Sequence, residues 1–386
     1  MLAFIDRGPL IKKLQILDWW WNRKRRHAPR PAPARGVLIL SCGGLGDTVL
    51  FSHVAERFSG LAHDGEPVTI LLRSDAMKMV FLLPPEMFVI SVDFSRFRKD
   101  MAYRHDITGD LFNKHYRLVV HTDYLRHPDL DEALVSAAMA PETAAMEPRP
   151  WRKYDARLKV NRALYSRLFD SGPPVRDKVL RWAAFADWLS GEKAAPPSTR
   201  LPEARLAPAA HFDTPVVVMQ PFSAVKAKQS PPALYRNIIE TLPVGTRVVV
   251  TGAPGDLERN PDFKPLLALA DVEFDSSVFE DLVPLLRGAS LVVSVDTALM
   301  HLSVAVGAPT VCLASAAYVG EIVPYDSALS PENTRFLYQP MDCEGCLGDC
   351  IHPAIDGMFP CVAGLDEDRV LAVVRESLNT AETPPS

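Results

Sequence analysis

Two α/β domains, each built on a largely parallel sheet, are what this sequence predicts, on three observations. Short apolar, β-branched runs alternate with helical stretches along most of the chain, the pattern of successive βαβ units. A proline-rich connection over residues 196–210, PPSTRLPEARLAPAA, divides that alternation into two series of similar size. The length, 386 residues, exceeds what one typical domain uses. The expected division is an extension and linker over 1–35, a first α/β domain over 36–200 and a second over 211–386.

Composition narrows the class. Apolar content of 48% with 23% charged residues matches a water-soluble globular chain. A net charge of −5 gives no general attraction to nucleic acid. No apolar run reaches the roughly 18 residues needed to span a bilayer. The N-terminus lacks the basic, apolar and small-residue succession of a secretory signal. A cytosolic location is therefore expected, and the six cysteines are expected to be reduced unless they bind metal.

The extension carries Phe4, Ile5, Leu10, Ile11, Leu14, Ile16, Leu17 and Trp19–Trp21, mixed with Lys12 and Lys13 and followed by Arg23–Arg26. Leu10, Leu14, Leu17 and Trp21 share one face at helical spacing. Tryptophans beside a basic cluster suit the headgroup layer of an anionic membrane, here through residues 1–30. The competing reading is a helix packed on the protein's own surface. Residues 31–34, Pro-Ala-Pro-Ala, read as a stiff linker.

In the first domain, 36–41 is a buried strand pattern, with further strands at 68–72, 88–92 and 118–121. Helices are expected over 48–58, 151–169 and 179–189. After the first strand comes Cys42-Gly43-Gly44-Leu45-Gly46-Asp47, which lacks the third glycine of a dinucleotide fingerprint. Asp47 would sit in the first turn of a helix above a sheet edge. There it is either a capping carboxylate or a general base for a hydroxyl. Segments 96–110 and 121–157 read as loops without a recognisable motif.

The second domain is expected to hold strands at 216–219, 247–251, 272–274, 291–295 and 310–314, and helices over 232–241, 262–270, 279–287, 298–306 and 366–378. Its most informative stretch, SLVVSVDTALMHLSVAVG over 290–307, is strand, short loop, helix. A helix that begins just after a buried strand aims free backbone N–H groups above the sheet edge, which favours a diphosphate. Asp296 and Thr297 suit the cap, and His301 lies one turn into the helix. Residues 220–235, QPFSAVKAKQSPPALY, offer Ser223 as a hydroxyl donor and Lys226 and Lys228 as cations after another strand. Thr251-Gly252-Ala253-Pro254-Gly255-Asp256 ends a third strand. Asp256, with Glu258 as a rival, either meets ribose hydroxyls or belongs to a plain Gly-Pro turn. Cys343, Cys346, Cys350 and Cys361, with His352 among them, have spacing that permits tetrahedral zinc, while packed reduced thiols are the expected state.

These segments resemble glycosyltransferase family 9, the heptosyltransferases. Asp296, Thr297, His301 and Leu302 match the family's D-T-G-x-x-H-L-A segment, with Ala298 at its glycine and Ser303 at its alanine. Residues 41–47 resemble the family's S-x-G-D turn, Lys228 matches the lysine of K-x-W-P with Ser230 at the tryptophan, and 251–256 resembles T-G-x-P-x-D/E. The resemblance implies a GT-B fold, two Rossmann-like α/β domains facing across a cleft. It implies Asp47 as catalytic base, with Gly44 and Gly46 in the acceptor-side loop. Donor binding falls to Ser223, Lys228, Asp256, Asp296, Thr297, Ala298 and His301. The implied reaction is inverting transfer of a sugar, heptose from ADP-heptose, to a lipid-linked lipopolysaccharide-core or related glycan. It is expected to need no cofactor and no metal, at the inner face of the inner membrane. The rivals are a GT-B enzyme using another nucleotide-sugar, including an epimerase, and a catalytically silent relative that scaffolds glycan assembly.

Overall fold

The computed structural model describes residues 9–30 and 32–381. The chain forms two compact units. One runs to Pro174 and takes in Arg181–Ala194; the other holds Val175–Leu180 and everything from Ala195 onward. Each is built on one six-stranded sheet whose strand pairs are all parallel.

The first unit opens with α1 (Pro9–Arg25). Then follow β1 (Val37–Ser41), α2 (Leu45–Ser52), α3 (Ala55–Ser59), β2 (Val68–Arg73), a 3-10 segment Ser74–Leu82, and β3 (Phe88–Val92). Next come α4 (Phe94–Lys99), α5 (Met101–Lys114), β4 (Leu118–His121), α6 (Asp131–Ala138), β5 (Glu142–Met146), α7 (Asp155–Asn161) and β6 (Arg167–Phe169). Helix α8 (Lys178–Ser190) closes it. The sheet order is β3-β2-β1-β4-β5-β6. All five residues of β1 are buried, because helices cover both faces of a parallel sheet. Trp182 on α8 is almost fully buried and donates its indole N–H to Thr122 O at 2.8 Å, which fixes the end of β4.

The second unit runs β7 (Val216–Gln220), α9 (Pro232–Thr241), β8 (Arg247–Thr251), α10 (Asp256–Arg259), a 3-10 segment Pro261–Ala268, β9 (Val272–Asp275) and α11 (Phe279–Gly288). It continues with β10 (Leu291–Val295), α12 (Ala298–Ala305), β11 (Thr310–Leu313), β12 (Thr334–Leu337), α13 (Pro360–Ala363) and α14 (Glu367–Ala381). Its order is β12-β11-β10-β7-β8-β9. Numbered from the start of each unit, both sheets read 3-2-1-4-5-6, the doubly wound order.

Several elements differ from the sequence reading. The helix expected over 48–58 breaks at His53-Val54 into α2 and α3. The one expected over 151–169 is a short helix followed by edge strand β6. The one expected over 262–270 is 3-10, with Pro265 inside it removing a backbone donor. Segments 96–110 and 121–157, read as loops, contain α4, α5 and α6 and strand β5.

No helix among the described residues is long and apolar enough to cross a membrane. Helix α1 instead lies on its own unit. Leu14 is fully buried, and Trp21 meets His105 edge-on with ring centroids 5.0 Å apart. Gln15 donates to Asp129 Oδ1 at 2.8 Å, Asn22 to Ser136 Oγ at 3.0 Å, and Asp18 accepts from the buried guanidinium of Arg104. The other side carries Ile16 (66% exposed), Trp19 (61%) and Trp20 (45%), with Arg23 and Lys24 over the tryptophan rings. Phe4 and Ile5 lie outside the described residues.

Candidate functional site

In a 3-2-1-4-5-6 sheet the chain leaves strands 1 and 4 in opposite directions, so a crevice opens beyond their C-terminal ends. In the first unit those ends are β1 and β4; in the second they are β7 and β10. Each of the two crevices receives one of the glycine- or hydroxyl-containing turns read from the sequence.

At the first, the chain turns at Cys42–Gly44 and enters α2. Asp47 is the third residue of that helix, and its Oδ2 accepts the Gly44 backbone N–H at 2.8 Å, so it does cap the helix. Gly43 lies so close that an added Cβ would stand 2.5 Å from Asp47 Cβ and 2.7 Å from its Oδ2. The glycine pair thus lets the carboxylate fold back over the turn. Gly46 sits beside Asp47 within the first turn and is partly exposed. Asp47 is itself half-buried.

Beneath this turn is a buried polar network that sequence reasoning missed. Asp123 Oδ2 accepts the Cys42 N–H at 2.6 Å, so the residue after β4 holds the turn after β1. Arg126 donates to Glu132 Oε1 at 2.8 Å and to the carbonyls of Asp123 and Met146. Asn161 donates to Glu132 Oε2 at 2.7 Å, and Tyr165 OH to Glu132 Oε1 at 3.2 Å. Tyr165 OH also pairs with His121 Nδ1 at 3.0 Å. Burial lowers the His121 pKa and raises those of Cys42 and Asp131, the last to about 8. The donor atoms of Cys42, His121 and Asp123 lie within 4.8 Å of one another. The sequence signal was faint: a dense polar run, HTDYLRHPDLDE, directly after a strand.

At the second crevice the structure brings together Lys228, Asp296 and His301. Lys228 Nζ lies 2.5 Å from Asp296 Oδ2, with both side chains nearly buried. Burial pulls the Lys228 pKa down, but the Asp296 charge and hydrogen bond outweigh it, and the ammonium is held above its usual value. His301 Nε2 is 3.8 Å from Asp296 Oδ1, and its Nδ1 pairs with Tyr325 OH at 2.7 Å. The Tyr318 ring lies under Lys228 Nζ at 4.6 Å. Neither tyrosine was singled out from the sequence; each follows β11, outside the strand–loop–helix patterns that drew attention.

Thr297 is the N-cap of α12, yet its side chain makes no cap hydrogen bond, and Asp296 turns to Lys228 instead. The expected capping by these residues is thereby corrected. Ala298 is the first helical residue and is partly exposed, so the opening turn of α12 is reachable. Ser223 Oγ accepts the Val225 N–H at 3.2 Å, and Gln229 donates to Ser223 O at 2.9 Å, which folds the 223–229 loop on itself. Lys226 stays exposed, bonded to Asn260 Oδ1. Asp256 is occupied by its own turn: Oδ2 accepts the Ala253 N–H at 2.6 Å and Oδ1 accepts from Arg259 at 2.7 Å.

All six cysteines are free thiols; Cys42, in the turn after β1, and Cys312, in β11, are buried. Cys343 and Cys350 approach to 3.9 Å between sulfurs.

Comparison with known proteins agrees with this arrangement. The sequence pattern of glycosyltransferase family 9 (heptosyltransferase) matches residues 114–332. No curated protein matches the chain by sequence. Among solved structures, a family 9 glycosyl transferase from Veillonella parvula DSM 2008 superposes with a TM-score of 0.65 at 14% identity, covering 90% of this chain and 97% of the other. E. coli heptosyltransferase WaaC with ADP gives 0.59 at 21% identity, covering 89% and 98%. E. coli ADP-heptose lps heptosyltransferase II gives 0.59 at 15% identity, covering 90% and 100%. The two-sheet architecture is therefore that of the GT-B heptosyltransferase structures.

Proposed function

The chain belongs to glycosyltransferase family 9, whose pattern spans more than half of it, and on that premise we propose that it moves a heptose from ADP-heptose to a hydroxyl of a lipopolysaccharide-core or related cell-surface glycan. The observation that carries the donor side is the nearly buried Lys228–Asp296 pair beside the uncapped start of α12. A lysine ammonium has three N–H donors, and Asp296 does not use them all. Asp296 therefore keeps a buried cation charged and aimed at the crevice, and a diphosphate takes its remaining donors together with the first-turn N–H groups of α12.

Asp47 takes the proton of the acceptor hydroxyl as that oxygen bonds to the anomeric carbon. The bond from this carbon to the diphosphate oxygen breaks, and its electron pair leaves with ADP. Attack opposite the leaving group inverts the configuration. Lys228, Ser223 and the backbone at Thr297–Ala298 bear the charge that develops on the diphosphate. Asp256 stays with its turn. The acceptor is lipid-linked in this reading, and α1 supplies contact with an anionic leaflet through Trp19, Trp20, Arg23 and Lys24.

A thermal-shift screen of nucleotide-sugars tests the donor. ADP-heptose at about a hundred times its Kd should add roughly 2.7 kcal/mol of stability. Stabilisation by a uridine or guanosine sugar and not by ADP-heptose would replace the donor. Binding of ADP-heptose with neither transfer nor hydrolysis would favour a silent scaffold.

A further inference from the structure

We propose that Cys42, His121 and Asp123 form a zinc site beneath the Asp47 turn, with Cys42 Sγ, His121 Nε2 and one Asp123 carboxylate oxygen as its three protein ligands.

Sheet register brings the three side chains together. Leu40 of β1 pairs with His121 of β4. Side chains two residues apart along a strand share a face. Cys42, two beyond Leu40, and Asp123, two beyond His121, therefore continue the face that carries His121. The result is a sulfur, an imidazole nitrogen and a carboxylate oxygen within 4.8 Å of one another, all on buried residues.

The decisive group is the His121 ring. Tyr165 OH donates to Glu132 Oε1 at 3.2 Å, and Glu132, which also takes N–H groups of Arg126 and Asn161, can only accept. The tyrosine proton is thereby committed, so the tyrosine oxygen accepts from His121 Nδ1 at 3.0 Å. With the proton on Nδ1, the neutral ring keeps a lone pair on Nε2. Nε2 is buried and has no hydrogen-bond partner. It faces Asp123 Oδ2 across 3.7 Å. A doubly protonated ring would need that oxygen within hydrogen-bond reach, and 3.7 Å is too long. Two buried lone pairs turned on one another are unfavourable, and a cation between them removes the conflict.

Donor chemistry selects the metal. Sulfur, imidazole nitrogen and carboxylate oxygen are ligands of zinc, whereas magnesium and calcium take oxygen. Ligand atoms on one tetrahedral zinc stand roughly 3.3–3.6 Å apart, so His121 Nε2 and Asp123 Oδ2 need only a slight closure. The supporting bonds are of the kind that hold metal ligands. Tyr165 and Glu132 fix the tautomer of the ring, and the Cys42 N–H at 2.6 Å orients the Asp123 carboxylate. Zinc binding takes one proton from the Cys42 thiol and passes it to solvent. Thiolate and carboxylate then balance the charge of the ion, and water takes its fourth position. The group formed at the surface by Asp342, Cys343 and His352 is different. There Asp342 Oδ1 and His352 Nε2 are directly hydrogen-bonded at 2.5 Å, which leaves no gap for an ion.

Cys42 opens the turn that leads to Asp47, while His121 ends β4 and Asp123 follows it. The ion therefore ties that turn to the neighbouring strand and steadies the carboxylate above it. This positioning role rests on the reading of Asp47 as the base; the zinc site does not.

The test is the zinc content of the full chain purified without chelator, native against Cys42→Ala and His121→Ala. The native chain should hold about one more zinc per chain than either variant. Equal content in all three overturns the site. Should the variants fail to fold, X-ray absorption at the zinc edge of the native chain decides. A shell with nitrogen or oxygen beside sulfur at about 2.3 Å is expected; sulfur alone, or no zinc, overturns the site. Turnover, read as ADP release from ADP-heptose with a core acceptor, reports the role. Stripping zinc from the native chain should lower it severalfold and added zinc should restore it, with no such rescue in His121→Ala. Equal rescue in both chains overturns the positioning role, as does turnover lowered by Asp47→Asn but untouched by stripping; the zinc site then stands. Turnover untouched by Asp47→Asn and by stripping overturns the base reading and the role with it, while the zinc count stands on its own.

Discussion

The two sheets share one strand order and place a turn-and-helix at the same topological position, yet they fill it with opposite chemistry. Beyond β1 and β4 the first unit sets a carboxylate, Asp47, on a glycine turn whose Cys42 N–H is held by another acid, Asp123. Beyond β7 and β10 the second unit sets a cation, Lys228, against one buried acid beside an open helix start. Topology decides where a loop emerges; the side chains decide what it attracts. An acid suits a group that must lose a proton, and a cation beside free N–H groups suits a diphosphate.

The largest expected effect breaks the comparison at Asp47. Asp47→Asn keeps an oxygen to accept the Gly44 N–H but cannot take a proton. Turnover should fall about a hundredfold or more, while the melting temperature and ADP affinity stay near the native values. A variant that turns over normally would leave Asp47 a helix cap alone.

Next comes the cation. Losing charge-assisted hydrogen bonds costs about 1.5–3 kcal/mol, so Lys228→Ala should weaken ADP binding roughly ten- to a hundredfold. Asp296→Asn tests the pair from the other side. It relaxes the hold on the ammonium while keeping a polar partner, so its loss of ADP affinity should be smaller. Equal ADP affinity in the native chain and both variants, by calorimetry, would detach this crevice from the nucleotide.

How much of this was legible follows from the range of the interactions. The strands flanking both crevices were readable because parallel, doubly covered strands are continuous apolar runs, as in β1 and β10. Asp47, Lys228 and Asp296 were readable because each sits a few residues beyond such a run. Strand β5 and the edge strands β6 and β12 were not, being short and only partly apolar. Helices α4 and α5 were not, because arginines and aspartates interrupt their apolar face. Asp123 was invisible as a support for Cys42 because the two meet only when β4 pairs with β1, 81 residues apart in the chain. Tyr318 and Asp18 escaped for the same reason.

A third measurement probes the acid store of the first unit. Burial holds the Asp131 pKa near 8, above its unfolded value, so the folded state keeps a proton that the unfolded chain releases. The sign follows: this group's contribution is full below the unfolded pKa near 4 and is lost as pH rises toward 8. Native stability should decline over that window by no more than about 1.4 kcal/mol per pH unit from this group. Asp131→Asn, which can still accept the His127 N–H, should flatten the decline. Equal slopes in urea titrations at pH 5, 6 and 7 would show that Asp131 is ionised in the fold.

The smallest effect concerns what each unit adds outside its sheet, and it asks whether an appendage can be separated from the chemistry. Helix α1 is held by the buried Leu14, by Trp21 against His105 and by Asp18 to the buried Arg104, and turns Trp19 and Trp20 outward beside Arg23 and Lys24. Leu14 and Trp21 face the unit, so the helix carries apolar side chains on its outer side as well, unlike an ordinary surface helix. Removing the outward rings should leave the docking contacts alone. Trp19→Ala/Trp20→Ala should weaken binding to anionic vesicles by about 1 kcal/mol, since such rings are only partly buried at an interface. Raising the salt should weaken the remainder by screening Arg23 and Lys24. Transfer to a soluble acceptor fragment should not change, because the two rings are exposed to solvent. Asp18→Ala is the contrasting variant: it leaves the Arg104 charge buried without its partner, so it should cost stability rather than vesicle binding. If the tryptophan variant loses stability and keeps its vesicle binding, the outward face serves the fold, and the separation of appendage from crevice fails in this unit.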